Sequence, residues 1–135
     1  LSIFLDTGVL VAVKSADDRR HPRAEELMEP ILKGEFGEIY TSDYVIDEAV
    51  TLVLTRTKRL ELAIAVGEYV LRSPRIIKLR VSEEVFDAAW ERFKSLKEKP
   101  MSFTDCTSLA LMEMRGIEGI ASFDSGFDGL VKRIS

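Results

Sequence analysis

Two short apolar runs in this chain each stop at an acid. Ser2-Ile3-Phe4-Leu5 ends at Asp6, and the apolar-leaning run from Ile117 to Ser122 ends just before Asp124. Continuous runs of this length read as strands buried on both faces, as in a parallel sheet covered by helices. Ligands of such sheets gather outside the carboxyl ends of the strands, so the two aspartates are expected on one rim. Two more acids sit where a fold could bring them to that rim: Glu48, early in a helix, and Asp105, at the opening of another. Four converging carboxylates would make a metal site.

The rest of the chain alternates strand and helix signals without repeats, low-complexity tracts or linkers. After the first strand, Ser2 to Asp6, come a short helical stretch through Val13 and a helix from about Pro22 to Lys33. Glu38 to Thr41 reads as a strand. Ser42 or Asp43 can cap the next helix, which carries Val45, Ile46, Ala49, Val50 and Val53 on one face and runs to about Thr57. Leu60 to Arg72 is helical and is ended by Ser73-Pro74. Ile76 to Val81 follows as a strand, then a helix from Ser82 to near Lys97, then an apolar helix from Ser102 to Arg115 with Gly116 as its stop. The last strand pair is Ile117 to Ser122 and Val131 to Ile134. The pattern is that of an α/β sandwich.

With 135 residues, 46% hydrophobic and 31% charged, the chain suits one compact domain, residues 1–135. A lone cysteine, Cys106, excludes an intrachain disulfide, and Asp6 breaks the N-terminal apolar run far short of a membrane span or secretory segment. The expected compartment is a reducing cytoplasm. Asn and Gln are absent while Glu, Lys and Arg abound, a bias found in thermophile proteins. The net charge of −4 argues against a surface that grips nucleic acid everywhere, so any such site must be local. Three basic clusters are available: Lys14 with Arg19, Arg20 and Arg23; Arg56 with Lys58 and Arg59; and Arg72, Arg75, Lys78 and Arg80. Taken singly, each reads as a solvated face.

Each acid also has an ordinary explanation. Asp6 can cap the helix after it, and Asp124 can form an Asx turn in Asp124-Ser125-Gly126. Asp105 follows Ser102 at capping-box spacing, and Glu48 lies at the edge of an apolar stripe where a solvated glutamate is unremarkable. One at a time, these readings are at least as strong as the functional one.

Together the segments match something more specific. Phe4-Leu5-Asp6-Thr7-Gly8-Val9-Leu10-Val11-Ala12 resembles the opening of PIN-domain nucleases, and Ser42-Asp43-Tyr44-Val45-Ile46-Asp47-Glu48 is similar to that family's glutamate segment. Ser102-Phe103-Thr104-Asp105-Cys106 resembles its third-acid motif, and Ala121-Ser122-Phe123-Asp124-Ser125-Gly126-Phe127 its last. Order and spacing agree over essentially the whole chain, although about Arg56 to Lys99 matches only in helical character. The resemblance is strongest to VapC-type toxins of toxin–antitoxin pairs. It implies an α/β/α sandwich with a central, mostly parallel sheet, and an endoribonuclease activity that depends on Mg²⁺ or Mn²⁺ and leaves a 5′-phosphate and a 3′-hydroxyl. It implies RNA as substrate, an antitoxin as partner and a homodimer as assembly, with no membrane association. Asp6, Glu48, Asp105 and Asp124 would form the acidic pocket, and Thr7, Thr104 and Ser122 would orient carboxylates or waters. Many relatives carry Asn where Gly8 stands and a second Asp where Gly126 stands; Asp128 is the candidate substitute for the latter.

The chemistry of such a cluster is general. Carboxylates repel by about 4 kcal/mol per pair at roughly 4 Å and an effective dielectric of about 20, so they do not all stay ionised without a cation. Oxygen-only ligation suits Mg²⁺ or Mn²⁺, which can generate hydroxide and polarise a phosphate. The lone histidine, His21, reads as a surface residue and Cys106 as a small buried one. Three rivals carry less weight, and the first is defeated by the helical periodicity of the chain between its two motifs. Asp6-Thr7-Gly8 and Asp124-Ser125-Gly126 spell aspartic-protease signatures, whose usual setting is an all-β chain. A PIN-like scaffold without catalysis keeps the fold and drops the chemistry. A response-regulator receiver is weaker, because Thr7 and Gly8 stand where paired acids are needed. Finally, Leu52, Val53, Leu54, Leu60, Leu62, Ile64 and Val66 offer more apolar surface than one side of a small sheet needs, which favours a dimer.

Overall fold

A computed structural model describes residues 1–135. Its core is a five-stranded sheet of β1 (Ser2–Leu5), β2 (Glu38–Ser42), β3 (Ile76–Leu79), β4 (Gly119–Ala121) and β5 (Lys132–Ile134), in the order β3-β2-β1-β4-β5. Every pairing is parallel, with Phe4 opposite Tyr40 on one side and Ile120 on the other. Ile3, Phe4 and Leu5 are buried, as a doubly covered central strand requires.

Six helices cover the sheet: α1 (Thr7–Lys14), α2 (His21–Leu32), α3 (Asp43–Thr57), α4 (Leu60–Leu71), α5 (Glu83–Lys94) and α6 (Phe103–Arg115). Helices α1 to α4 pack on one another, and α5 packs on α6. The chain steps from β1 through β2 to β3 in one direction and then returns past β1 to β4. Right-handed crossovers place the two helix groups on opposite faces, which makes the α/β/α sandwich. The reversal beside β1 opens a crevice at the carboxyl ends of β1 and β4, the ends from which Asp6 and Asp124 follow.

Local chemistry sets the boundaries. The Ser42 and Ser82 hydroxyls accept the Val45 and Val85 N–H groups, capping α3 and α5. Asp43 Oδ1 accepts the N–H groups of Tyr44 (2.9 Å) and Val81 (3.0 Å), so the exit of β3 is tied to the start of α3. Gly116, at φ 66°, closes α6 in the left-handed conformation. Helix α5 ends at Lys94 rather than near Lys97, because Ser95 turns its hydroxyl back onto the Arg92 carbonyl at 2.7 Å.

Two sequence expectations are corrected. His21 is half-buried and not a free surface residue: its side chain is 22% exposed, and Nδ1 donates to the Ala12 carbonyl at 2.7 Å, pinning α2 to α1. Val53 and Val66 are not spare apolar surface: with Val11, Ala49 and Ala63 they form a second buried cluster where α1, α3 and α4 meet. Cys106 is fully buried, as expected. No helix is long and apolar enough to cross a membrane.

Candidate active site

The crevice holds a cavity of about 490 Å³ whose wall includes all four predicted acids: Asp6, Glu48, Asp105 and Asp124. They arrive from four separate segments: the end of β1, the second turn of α3, the first turn of α6 and the loop after β4. Asp6 and Asp105 are buried, Glu48 is half-buried and Asp124 is exposed.

The ordinary roles considered for these acids divide in an informative way. Asp6 sits at the N-cap position of α1 but makes no capping bond. Its Oδ2 instead accepts the Ser122 hydroxyl at 2.6 Å, across the β1–β4 pair. Glu48 is not simply solvated, since Thr7 donates its hydroxyl to Oε1 at 2.6 Å. Asp105 does form the capping box: its N–H donates to Ser102 Oγ at 3.0 Å and its Oδ2 accepts the Ser102 N–H at 3.3 Å. Asp124 does form the Asx turn, with Oδ1 accepting the Gly126 N–H at 2.8 Å. A structural bond and a place on the cavity wall are therefore compatible, because a carboxylate has lone pairs to spare.

Electrostatics mark the pair at the bottom. Burial, followed by the charges of Asp6, Glu48 and Asp124, pushes the Asp105 carboxyl up from 3.8 to about 7. Asp6 is also raised, mainly by burial, against the lowering effect of its bond from Ser122. As the side chains stand, no three of the carboxylates are close enough to enclose one ion. The donor set nevertheless suits a hard divalent cation: it is all oxygen, shares one cavity, and burial with the neighbouring carboxylates disfavours the charge of Asp105, which a bound cation would offset.

The accessory candidates separate. Thr7 lines the cavity and Ser122 holds Asp6, whereas Thr104 is outside the wall and offers its carbonyl to the Thr107 and Ser108 hydroxyls. Asp128 does not replace the missing second aspartate of the last motif. It lies outside the cavity wall and is bound through both oxygens by Arg133, at 2.7 and 3.0 Å, while Arg133 Nη1 holds the Ser122 carbonyl at 3.0 Å. Gly126 cannot take a side chain without local movement, because a Cβ there would stand 3.0 Å from Asp124 Oδ1.

Two cavity residues escaped the sequence reading. Arg20, from the turn before α2, lies over the Phe123 ring at 5.2 Å, and both line the wall. Arg20 was visible only as a member of a basic cluster, and Phe123 only as a neighbour of Asp124.

The PIN-domain family model matches residues 3–132. This chain belongs to the PIN-domain family. Within it, the chain is 30% identical over 126 residues, 93% of this chain and 91% of the relative, to the 23S rRNA-specific endonuclease VapC20 of Mycobacterium tuberculosis. The crystal structure of that VapC20, described as a sarcin–ricin loop cleaving toxin, superposes with a TM-score of 0.82 over 95% of this chain and 94% of the other. The likeness is thus to VapC-type nucleases. VapBC2 of Rickettsia felis, bound to a promoter DNA fragment, superposes at a TM-score of 0.69 with 15% identity over 99% of this PIN chain and 98% of the other. FitAcB of Neisseria gonorrhoeae superposes at 0.66 with 20% identity over 98% and 96%; these two matches speak for the fold. The D-T-G and D-S-G tripeptides follow strands of an all-parallel α/β sheet, so the aspartic-protease reading falls with the fold.

Proposed function

We propose that this PIN domain is an endoribonuclease that works with Mg²⁺ or Mn²⁺ and serves as the toxin of a toxin–antitoxin pair in the cytoplasm. The observation that carries the reading is the meeting of Asp6, Glu48, Asp105 and Asp124 in one cavity, with Asp105 pushed up to about 7 by its burial and then by its neighbours. The similarity to an endonuclease named for 23S rRNA supports RNA as the substrate.

The four acids would hold the cation, which when bound supplies an activated water and a polarised scissile phosphate. The rest of the chemistry belongs to the chain. Ser122 keeps one lone pair of Asp6 occupied and so fixes the carboxylate plane, and Thr7 does the same for Glu48. The capping box holds Asp105 on the rigid first turn of a buried helix. Arg20, braced on Phe123, is placed to meet a phosphate oxygen entering the cavity. Hydrolysis would leave a 5′-phosphate and a 3′-hydroxyl. An antitoxin and a second copy of the chain are the expected protein partners.

The test is cleavage of RNA by the purified chain with Mn²⁺, with excess EDTA, and after Asp105→Asn. We expect cleavage only in the parent with metal. Undiminished cleavage by the variant or in EDTA would overturn the assignment. A growth arrest on expression, relieved by the product of a small neighbouring reading frame, would be the expected sign of the toxin role.

A further inference from the structure

A second cavity, also of about 490 Å³, lies beside the acidic one, and Arg20 stands in the wall of both. Its other charged residues are Arg19, Arg56, Asp17 and Asp18. The arginines come from two of the separate basic clusters in the sequence: Arg19 and Arg20 from the turn after α1, and Arg56 from the last turn of α3. Folding brings them to one hollow over Val11 and Val53. None of the three guanidinium groups forms an ion pair within the chain. Asp18 is already engaged, accepting the backbone N–H of Arg20 at 2.8 Å. With three arginines against two aspartates, the hollow is locally positive on a chain whose net charge is −4.

We propose that this hollow is a backbone-phosphate subsite for the RNA strand that flanks the scissile bond. Arg20 is the shared post between subsite and acids, and Arg19 and Arg56 each receive a phosphate oxygen of a neighbouring nucleotide. The inference rests on the ribonuclease reading above. A substrate polyanion must pass four carboxylates, and a flanking set of guanidinium groups without carboxylate partners offsets that repulsion. The subsite is indifferent to sequence, because it reads phosphates and not base edges.

The test uses a fluorescein-labelled single-stranded RNA of mixed sequence. Binding is measured in the Asp105→Asn background, which is expected not to cut, over a series of KCl concentrations; cleavage is measured in the otherwise unaltered chain. Arg19→Gln and Arg56→Gln are compared with Arg75→Gln, a matched charge loss outside the hollow. We expect the slope of log affinity against log salt to shrink by about 0.7 for each hollow arginine removed. KM should rise roughly threefold to fivefold for each, kcat should stay near the parent's, and melting temperatures should be unchanged because both side chains are exposed. Arg75→Gln should change none of these. If the parent cleaves RNA while Arg19→Gln and Arg56→Gln match Arg75→Gln in slope and KM, the subsite is refuted and the ribonuclease reading stands. If the parent neither binds nor cleaves RNA, both fall.

Discussion

Ser122 donates its hydroxyl to Asp6 Oδ2 at 2.6 Å across the β1–β4 pair, and Ser122 Oγ itself accepts the N–H of Asp124 at 3.0 Å. One fully buried hydroxyl therefore sets the relative placement of two acids 118 positions apart in sequence. Substituting Ser122→Ala leaves the Asp124 N–H and one Asp6 lone pair without that partner. The expected cost is about 1–2 kcal/mol of stability, read from chemical denaturation. Metal affinity or activity should fall about 10- to 100-fold, the usual range for a group that orients a metal-binding side chain. An unchanged Mn²⁺ requirement would show that Ser122 is only a packing residue.

Thr7 stands in the same relation to Glu48, reaching from the first turn of α1 to the second turn of α3 at 2.6 Å. Thr7→Val keeps the shape and removes the donor. Half-buried Glu48 can then turn toward water, so the loss should appear as a higher Mn²⁺ concentration for half-maximal cleavage, with little change in melting temperature. Thr7→Ser should restore the parent behaviour. Failure of serine to rescue would place the defect in packing of the buried Thr7 methyl instead.

Which parts of this arrangement were legible in the sequence follows from how local each signal is. The ends of β1 and β4 were visible because a doubly buried strand is a continuous apolar run and the first acid marks where it leaves the sheet. The α6 start was visible because Ser102 and Asp105 satisfy each other within one turn, and its end because Gly116 takes a positive φ. Arg20 was not legible: it joins the cavity wall through the chain reversal between α1 and α2, and no periodicity encodes that turn. Asp128 was misjudged because proximity to Asp124 in sequence says nothing about Arg133, which comes from β5 and claims both of its oxygens. The apolar faces of α3 and α4 were legible as faces, but the sequence could not say that α1 covers Val53 and Val66.

That covering narrows the dimer prediction. The apolar side chains left outside on α4 are Leu60, Ile64 and Leu71, at 60, 52 and 55% exposure, with Leu54 on α3. These, not Val53 and Val66, are the residues a second copy would bury. Light scattering at micromolar concentration should give the mass of a dimer for the parent and of a monomer for Leu60→Lys combined with Ile64→Lys. A monomeric parent would remove the prediction.

Asp128 gives a contrasting test within the candidate site. It secures Arg133, and through it the Ser122 carbonyl, but lies outside the cavity wall. Asp128→Asn should therefore leave cleavage close to the parent's, whereas Asp105→Asn should abolish it. Loss of cleavage with an unshifted melting temperature in Asp128→Asn would return Asp128 to the metal-binding set.

The raised acids predict how the metal-free protein responds to pH. Asp105 titrates near 3.8 in the unfolded chain and at about 7 in the folded one, because burial and the neighbouring carboxylates disfavour its charge. Below the unfolded value both states hold the proton and there is no penalty. Between the two values the unfolded chain has released a proton that the native state keeps, so stability falls as pH rises, by at most about 1.4 kcal/mol per unit from this group. Above about 7 the dependence from Asp105 flattens. Asn at this position has no proton to lose, so Asp105→Asn should be the more stable protein at pH 8 in EDTA, with a shallower slope to which Asp6 still contributes in the same direction. A divalent cation competes with that proton. The melting shift produced by Mn²⁺ should accordingly grow from pH 5 to pH 7 in the parent, level off above, and be small throughout in the variant. Melting curves of both proteins at pH 5, 6, 7 and 8, with and without Mn²⁺, decide it: parallel profiles for parent and variant would show that Asp105 neither bears the crowding nor binds the metal.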